Sequence, residues 1–228
     1  MGQFIAIEGG DGSGKRTQAS LLAKDLRKQG YDVLEISFPQ HGKASAYYVD
    51  QYLNGAYGSA DDVPGDLASL PYAIDRFAAK AQIVGALSKP KGIVIADRYL
   101  ASNLAHQGTK FADPDSRRAF YERDMQLEYE LLGIPRPDLN IVLLVPTALA
   151  QVNVDRKDAG AERQAYTTKQ RDIHEADQSH LERAKANYEE LCRLYPHEFI
   201  AIQCTKDSQM RPIDVIAQAI ARLVATRL

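Results

Sequence analysis

The chain carries the stretch Gly9-Gly10-Asp11-Gly12-Ser13-Gly14-Lys15 directly after an apolar run and directly before an amphipathic segment. Glycine, four residues, glycine and lysine, placed between a strand and a helix, is typical of a phosphate-binding loop. The glycines let backbone N–H groups turn inward around phosphates, and the helix N-terminus adds partial positive charge. Lys15 would then bridge the terminal phosphates. An ordinary glycine-rich turn is the alternative, but the lysine and both flanking elements favour the phosphate loop.

Five short apolar runs recur along the chain without strict alternation, at positions 4–7, 33–36, 93–96, 141–145 and 199–202. Near-continuous apolarity over four or five residues suits a strand buried on both faces, and such strands belong to parallel sheets covered by helices. Helical spacing of apolar residues follows at 15–29 before Gly30, at 173–195, and after Pro212 as a first-turn residue. This alternation predicts a layered α/β fold, and the lack of a Pro-, Gly- or Ser-rich linker predicts one domain over residues 1–228.

The composition narrows the classes of partner. The chain has 28 Lys and Arg residues against 30 Asp and Glu residues, a formal net charge of −2, which supplies no overall attraction for nucleic acid. No apolar run approaches the ~18 residues that a membrane span needs, so we expect a soluble cytoplasmic protein with no membrane partner. Cys192 and Cys204 lie among apolar residues rather than at metal-ligand or redox spacing, and we expect both to be small buried side chains.

Two further features of the sequence bear on how metal and phosphate would be bound. The residue after Lys15 is Arg16, where a metal-binding hydroxyl is expected, and Thr17 follows one position later. Asp97-Arg98-Tyr99 ends the third apolar run, and ligands of open α/β sheets bind beyond the carboxyl ends of the strands. Asp97 could therefore hold Mg²⁺ through water, and Arg98 could clamp a phosphate. A helix-capping aspartate followed by a solvated arginine stays open as the alternative.

Further sequence blocks accompany this loop, namely Phe38-Pro39, Tyr72-Ala73-Ile74-Asp75-Arg76, Asp97-Arg98-Tyr99-Leu100-Ala101-Ser102-Asn103-Leu104-Ala105 and Pro135-Arg136-Pro137-Asp138-Leu139. In this order they resemble the thymidylate kinase family over nearly the whole chain, and the Gly-Lys-Arg-Thr end of the loop resembles a bacterial branch of it. The resemblance implies a P-loop nucleoside monophosphate kinase fold, with a five-stranded parallel sheet flanked by helices. A polar, aperiodic stretch at about residues 156–172 is the expected lid.

The resemblance also implies roles for single residues. Arg76 would meet the carbonyl edge of thymine, Asn103 would contact the same base, and Tyr72 would stack on it. Asp11 would lie by the sugar hydroxyl and phosphate of dTMP, and Arg98 on that phosphate. The implied dTMP residues are Asp11, Phe38, His41, Tyr72, Arg76, Arg98, Asn103, His106 and Gln107. The implied ATP residues are Gly9, Gly10, Asp11, Gly12, Ser13, Gly14, Lys15, Arg16 and Thr17.

The motifs and the resemblance together give candidates for the catalytic and metal-binding residues. The catalytic candidates that would share the charge developing on the transferring phosphoryl group are Lys15, Arg16, Arg98 and the lid residue Arg163, with Arg156 and Arg171 as other lid arginines. Asp97 is the further catalytic candidate, through the Mg²⁺ it would hold. The candidates for holding Mg²⁺ are Asp11, Asp97 and Glu175. Asp172 and Glu175 resemble an acidic pair that faces the acceptor nucleotide, although a favourable charge at a helix N-terminus is an equally good explanation.

Three positions depart from the family pattern. His41 replaces an arginine that many members carry, which weakens the expected phosphate grip. His106 replaces an aromatic residue where relatives crowd the sugar 2′ position, so the discrimination between deoxyribose and ribose is in question. Arg16 cannot ligate a cation, and we expect it to act as a clamp in the transition state, with exposure to solvent as the alternative.

The expected reaction is transfer of the ATP γ-phosphoryl group to dTMP, giving dTDP and ADP, with Mg²⁺ present and a homodimer as the family's usual state. The first alternative is a deoxynucleoside kinase, in which Glu8 or Asp97 would serve as the base, or another nucleoside monophosphate kinase. The second is a nucleotide-binding regulator without turnover or a GTPase-like switch. The guanine-reading Asn-Lys-x-Asp string is absent, because Thr205-Lys206-Asp207 does not satisfy it.

Overall fold

A computed structural model describes residues 2–158 and 178–227, with side chains described outside 155–158. Its main sheet has five parallel strands in the order β2-β3-β1-β4-β5. The strands are β1 Gln3–Gly9, β2 Asp32–Ser37, β3 Gly92–Asp97, β4 Leu139–Leu144 and β5 Phe199–Gln203. All five strands predicted from the apolar runs are confirmed, and they form the five-stranded parallel sheet that the resemblance implies.

Helices cover both faces of the sheet. They are α1 Lys15–Lys28, α2 Tyr47–Leu53, α3 Gly65–Leu87, α4 Leu100–Gln107, α5 Pro114–Met125, α6 Thr147–Asp158, α7 Gln178–Leu194 and α8 Ile213–Ala225. Pro212 caps α8 rather than occupying its first turn, one position earlier than predicted. Gly30, at φ 85°, follows the end of α1 in the left-handed conformation that favours glycine, as predicted.

The two faces of the sheet form two apolar layers, and β1 shows why its sequence does not alternate. Phe4 and Ala6 pack with residues of α3, α4 and α7, while Ile5 and Ile7 pack with residues of α1 and α8. All residues of β1 after Gln3 are therefore buried. The edge strand β2 differs from the prediction, because it alternates and exposes Glu35, which pairs with Arg27.

The carboxyl ends of the central strands meet at one edge of the sheet. Ile7 is level with Asp97 of β3, and Gly9 is level with Leu143 of β4. The phosphate loop after β1 and the Asp97-Arg98 pair at the end of β3 thus lie close together, although α1, β2, α2 and α3 separate them in the sequence. This edge is where α/β sheets bind ligands.

Other elements were not anticipated from the sequence. A two-stranded antiparallel hairpin joins β6 Thr205–Lys206 to β7 Gln209–Met210, and residues Gln126–Leu131 form a π-helical turn after α5. Cys204 is buried as predicted, but Cys192 is only half-buried. Across the described ranges, no helix combines the length and apolarity needed to cross a membrane.

Candidate active site

The phosphate loop needs glycine for two reasons, namely its backbone conformation and its close packing against α6. Gly9, Gly12 and Gly14 have φ values of 137°, 73° and 91°, a region that favours glycine. A Cβ on Gly12 would lie 2.0 Å from the carbonyl oxygen of Ala150, so α6 packs directly on the loop backbone. Asn153 of α6 also donates a hydrogen bond of 2.9 Å to the Gly12 carbonyl. The helix after β4 thus fixes the loop's curvature.

Lys15 begins α1 and bends back over the loop. Its Nζ donates a hydrogen bond of 2.7 Å to the carbonyl oxygen of Gly10 and lies 3.9 Å from a carboxylate oxygen of Asp11. Burial, followed by the nearby charge of Arg98, lowers the pKa of Lys15 to about 8. The ammonium group is therefore held in the loop where the sequence predicts the terminal phosphates.

Arg98 reaches the same loop from the end of β3. Its backbone has φ 66°, an uncommon conformation for a residue other than glycine, and its guanidinium donates to the Gly9 carbonyl (3.2 Å), to Ser102 Oγ (3.0 Å) and to Asp11. Strained backbone of this kind clusters at functional sites. The left-handed turn directs the side chain across the sheet edge.

Asp11 lies between these two cations. Its desolvation would raise its pKa, but the charges of Arg98, Lys15 and His106 hold the pKa well below its usual value. Arg98 in turn has its pKa raised by Asp11 despite the cost of burial. Lys15 and Arg98 thus both lie beside the loop, where Asp11, Asp97 and Glu8 contribute the negative charge near them.

The carboxylate of Glu8 has a structural set of partners. It is fully buried and accepts hydrogen bonds from the Tyr99 backbone N–H (2.7 Å) and Ser102 Oγ (2.7 Å), with Tyr188 Oη at 3.5 Å. Burial raises its pKa. Because these partners link β1 to α4 and α7, Glu8 is poorly placed to act as the base that a deoxynucleoside kinase requires.

The carboxylate of Asp97 differs from that of Glu8 in its hydrogen bonding. Its Oδ1 atom is buried, and no residue in the described part of the chain hydrogen-bonds to it. The helix that follows is capped by Tyr99 with no side-chain cap, and Arg98 is mostly buried, so the structure does not support the alternative of a capping aspartate and a solvated arginine. Arg16 and Thr17 of α1 are both exposed.

On the acceptor side, Arg76 of α3 is enclosed. Its exposed fraction is 2%, and it donates two hydrogen bonds to Glu128 in the π-helical turn and one of 3.4 Å to the Tyr99 carbonyl. Phe38 is buried with its ring edge against Tyr99, while Tyr72 is half-buried and packs on Tyr52 and its neighbours.

The other predicted acceptor residues lie on α4 and in the loop after β2. Asn103 and Gln107 are buried on α4, where Asn103 Nδ2 donates to Asp124 Oδ2 at 2.9 Å. His41 Nδ1 lies 2.5 Å from a carboxylate oxygen of Asp50, so this residue makes a hydrogen-bonding contact with α2. His106 is buried, with its Nδ1 3.2 Å from His180 Nε2 of α7.

A cavity lies between the phosphate loop, the end of β4, α6 and α7, and it also reaches α4. Asp11 and Ser13 line it from the loop, His106 from α4, and Tyr188 from α7. The predicted lid arginine Arg163, together with Arg171, Asp172 and Glu175, lies outside the described residues, as does the Arg156 side chain.

Several residues of the site were missed from the sequence. Asp75 accepts from the Gln40 backbone N–H (2.7 Å) and Ser45 Oγ (2.6 Å), and so ties the Phe38-Pro39 loop to α3. Arg76 is held by Glu128, Asn103 is held by Asp124, and Tyr188 contacts Glu8. Asp75 lies inside a quoted block and could have been found there, but the others carry no local signal because their partners are distant in sequence.

The parallel sheet in this strand order, with a glycine-built phosphate loop and a basic pair at its carboxyl edge, defines a P-loop phosphotransferase of the nucleoside monophosphate kinase class. The thymidylate kinase family model matches residues 7–211. The chain belongs to the thymidylate kinase family.

Individual relatives agree with this assignment. The chain is 34% identical to thymidylate kinase of Mycobacterium tuberculosis over 191 residues, 82% of this chain and 85% of the relative. It is 30% identical to that of Caulobacter vibrioides over 228 residues, covering 100% of this chain and 98% of the relative. Thymidylate kinase from Candida albicans, at 23% identity, superposes with a TM-score of 0.69 over 99% of this chain and 92% of that one, which supports the fold.

Proposed function

We propose that this enzyme transfers the γ-phosphoryl group of ATP to the 5′-phosphate of dTMP, giving dTDP and ADP. The observation that carries the proposal is the cluster of Lys15, Asp11 and Arg98 at the carboxyl edge of the sheet, in a chain of the thymidylate kinase family. Lys15 and the loop backbone would hold ATP, and Arg98 would hold the acceptor phosphate. The cytoplasmic location expected from the sequence stays a prediction.

The arrangement suits an acceptor that is already charged. A phosphate monoester is a nucleophile at neutral pH, so the protein has to position it and neutralise charge rather than remove a proton. Arg98 supplies that positive charge, and the carboxylate of Glu8 is engaged by Tyr99 and Ser102. A hydroxyl acceptor, as in a deoxynucleoside kinase, would need a carboxylate base instead.

Mg²⁺ fits this donor set as a partner of the ATP phosphates. Asp97 offers a buried carboxylate oxygen, and Ser13 Oγ is likewise buried; neither atom has a hydrogen-bond partner among residues 2–158 and 178–227. Within those ranges no cluster of three or more His, Cys, Asp or Glu residues could enclose a metal. Mg²⁺ commonly takes one or two carboxylates and completes its shell with phosphate and water, and it would neutralise phosphate charge here.

A coupled assay for ADP tests the substrate. We expect turnover with dTMP to exceed that with dCMP, dGMP, dAMP and thymidine by a wide margin. The margin over dUMP should be about 10 to 200-fold, since one methyl group contributes only ~1–3 kcal/mol in an apolar pocket. Faster turnover with thymidine would favour the deoxynucleoside kinase, and ATP binding without ADP formation under any of these conditions would favour a regulator.

We also propose that two copies associate through α3. Five exposed apolar side chains of this helix, which we name the α3 seam, are Leu67, Leu70, Ile74, Phe77 and Val84. They are spaced by three, four, three and seven residues, which places them along one stripe of the helix, as in helix-pairing seams. A second copy of α3 is the occupant that such a self-complementary stripe fits, since homodimers use the same patch on both subunits.

A further inference from the structure

The amide of Asn103 is hydrogen-bonded on one side only. Its Nδ2 atom donates to Asp124 Oδ2 at 2.9 Å and to the Ser69 carbonyl oxygen at 3.4 Å. Its Oδ1 atom is buried, and no described residue hydrogen-bonds to it. A buried acceptor without a partner is costly, and in a native protein it calls for an explanation. A ligand that donates a hydrogen bond to Oδ1 supplies one.

The orientation of this amide follows from its neighbours. The Ser69 carbonyl group accepts hydrogen bonds at every pH, and the Asp124 carboxylate accepts them when it is ionised, so the side of Asn103 that faces them carries the NH₂ group. Of the two contacts, the one to Ser69 is at the long limit for an N–H donor, whereas the one to Asp124 has normal length. Asp124 therefore holds the amide in place and leaves the oxygen for another partner.

Asp124 is itself part of a buried support. It is buried at the end of α5, one helical turn before Glu128, the partner of Arg76. Two acidic residues on consecutive turns thus hold the two side chains, Asn103 and Arg76, that the sequence predicts to read the acceptor base. The support is formed only when α5 and its π-helical turn pack against α3 and α4.

We propose that Asp124 is a positioning residue that orients Asn103 Oδ1 toward the acceptor base, and that it thereby selects bases with a ring N–H donor over bases with a ring nitrogen acceptor. Thymine and uracil present N3–H, whereas cytosine presents an N3 lone pair. The proposal rests on the proposed function and deepens it, because it assigns part of the base preference to a residue that touches no substrate.

Asp124→Leu tests the proposal by replacing the carboxylate with an apolar group of similar size. Without its acceptor, Asn103 can turn its NH₂ group toward the base. We expect KM for dTMP to rise at least about tenfold and the ratio of kcat/KM for dTMP over dCMP to fall at least about tenfold, because a mispaired polar group at a base edge is strongly penalised. KM for ATP should stay unchanged. Glu122→Leu, which removes an exposed carboxylate from the same helix, is the matched control.

Asp124→Asn provides a second variant should Asp124→Leu fail to fold. It keeps one acceptor oxygen but adds a donor that can hold Asn103 in either orientation, so an intermediate loss of dTMP preference is expected. Unchanged dTMP preference in a folded Asp124→Asn or Asp124→Leu protein would overturn the proposal.

A spectroscopic measurement separates this proposal from the proposed function. The side-chain ¹⁵N–¹H₂ resonances of Asn103, assigned by their loss in Asn103→Asp, should show slowed hydrogen exchange in the wild type and lose it in Asp124→Leu but not in Glu122→Leu. Resonances that do not respond to Asp124→Leu overturn the positioning role whatever the enzyme's substrate. Absence of dTMP turnover in the wild type instead rejects the proposed function.

Discussion

The guanidinium of Arg76 donates two hydrogen bonds to the carboxylate of Glu128, 52 residues further along the chain, and both side chains are buried. Burial by itself would lower the pKa of Arg76, but the adjacent Glu128 raises it, so the arginine stays charged. Any single substitution of Arg76 would therefore remove both the predicted contact with the base and the ion pair with Glu128. The effects of the two losses could not be told apart.

The first prediction separates these effects. Arg76→Met should destabilise the protein by ~3–5 kcal/mol because it leaves Glu128 buried and unpaired, whereas Arg76→Met combined with Glu128→Leu should recover most of that loss. If Arg76 also meets the thymine base, the stable double variant will still have a strongly raised KM for dTMP with ATP binding intact. Urea unfolding and substrate titration measure the two effects. A normal KM for dTMP in the double variant would leave Arg76 with a structural role only.

The second prediction concerns the charge on Lys15. With a pKa of about 8 in the unliganded protein, its ammonium is largely charged at pH 7 and largely neutral at pH 9. ATP binding should therefore weaken about tenfold between these pH values, since the ligand must restore the proton. Calorimetric titration from pH 6.5 to 9 measures this. Lys15→Met should bind weakly without the step, and Lys24→Met, exposed on the same helix, should keep it. A step that persists in Lys15→Met belongs to another group.

The third prediction concerns stability and pH. Burial, followed by the charge of Glu128, raises the pKa of Asp124 from 3.8 to about 7 in the folded state. The folded protein thus binds more protons than the unfolded chain between these values, and stability is lost as pH rises through this window. Relative to wild type, Asp124→Asn should gain up to ~4 kcal/mol in unfolding free energy between pH 4 and pH 7, and no more above it.

Denaturant unfolding at several pH values measures this difference, with Asp115→Asn on the same helix as the exposed control. A difference between Asp124→Asn and wild type that does not change from pH 4 to pH 7 would show that Asp124 titrates normally.

The fourth prediction concerns Arg16. It is the second residue of α1, next to Lys15, and its side chain is exposed, so it has room to turn toward a bound phosphate. We expect Arg16→Ala and Arg16→Ser to lower kcat at least about a hundredfold at saturating ATP, dTMP and Mg²⁺, with nucleotide affinities little changed, because an arginine that acts in the transition state affects kcat. Arg27→Ala on the same helix is the control. A loss of only a few-fold, or a serine variant faster than wild type, would make Arg16 a tolerated substitution.

The fifth prediction concerns the α3 seam. Phe77→Glu should convert the expected dimer into a monomer, since a charge at the centre of an apolar interface is costly to bury. Light scattering coupled to size-exclusion chromatography measures the mass. Ile213→Glu places the same charge on an exposed apolar residue of α8 and should leave the mass unchanged. A wild-type protein that is monomeric at micromolar concentration, or a dimeric Phe77→Glu variant, contradicts the role of this stripe.

The sequence by itself determined the phosphate loop and the five strands of the main sheet. Both are encoded locally: the loop by glycines and a lysine at fixed spacing, and the strands by apolar runs that need burial on both faces. The two edge strands show the limit, because β2 and β5 have similar apolar runs yet expose Glu35 and Ala201, and only the strand order decides which strands are covered.

Tertiary structure alone decided what holds the site residues. Asn103 meets Asp124 across 21 positions, Arg76 meets Glu128 across 52, and Glu8 meets Ser102 across 94. A buried charge needs a partner but does not say where along the chain that partner lies. The partners are fixed when α3, α4 and α5 dock on one face of the sheet, where burial of apolar surface brings these helices together and the polar side chains must then satisfy one another.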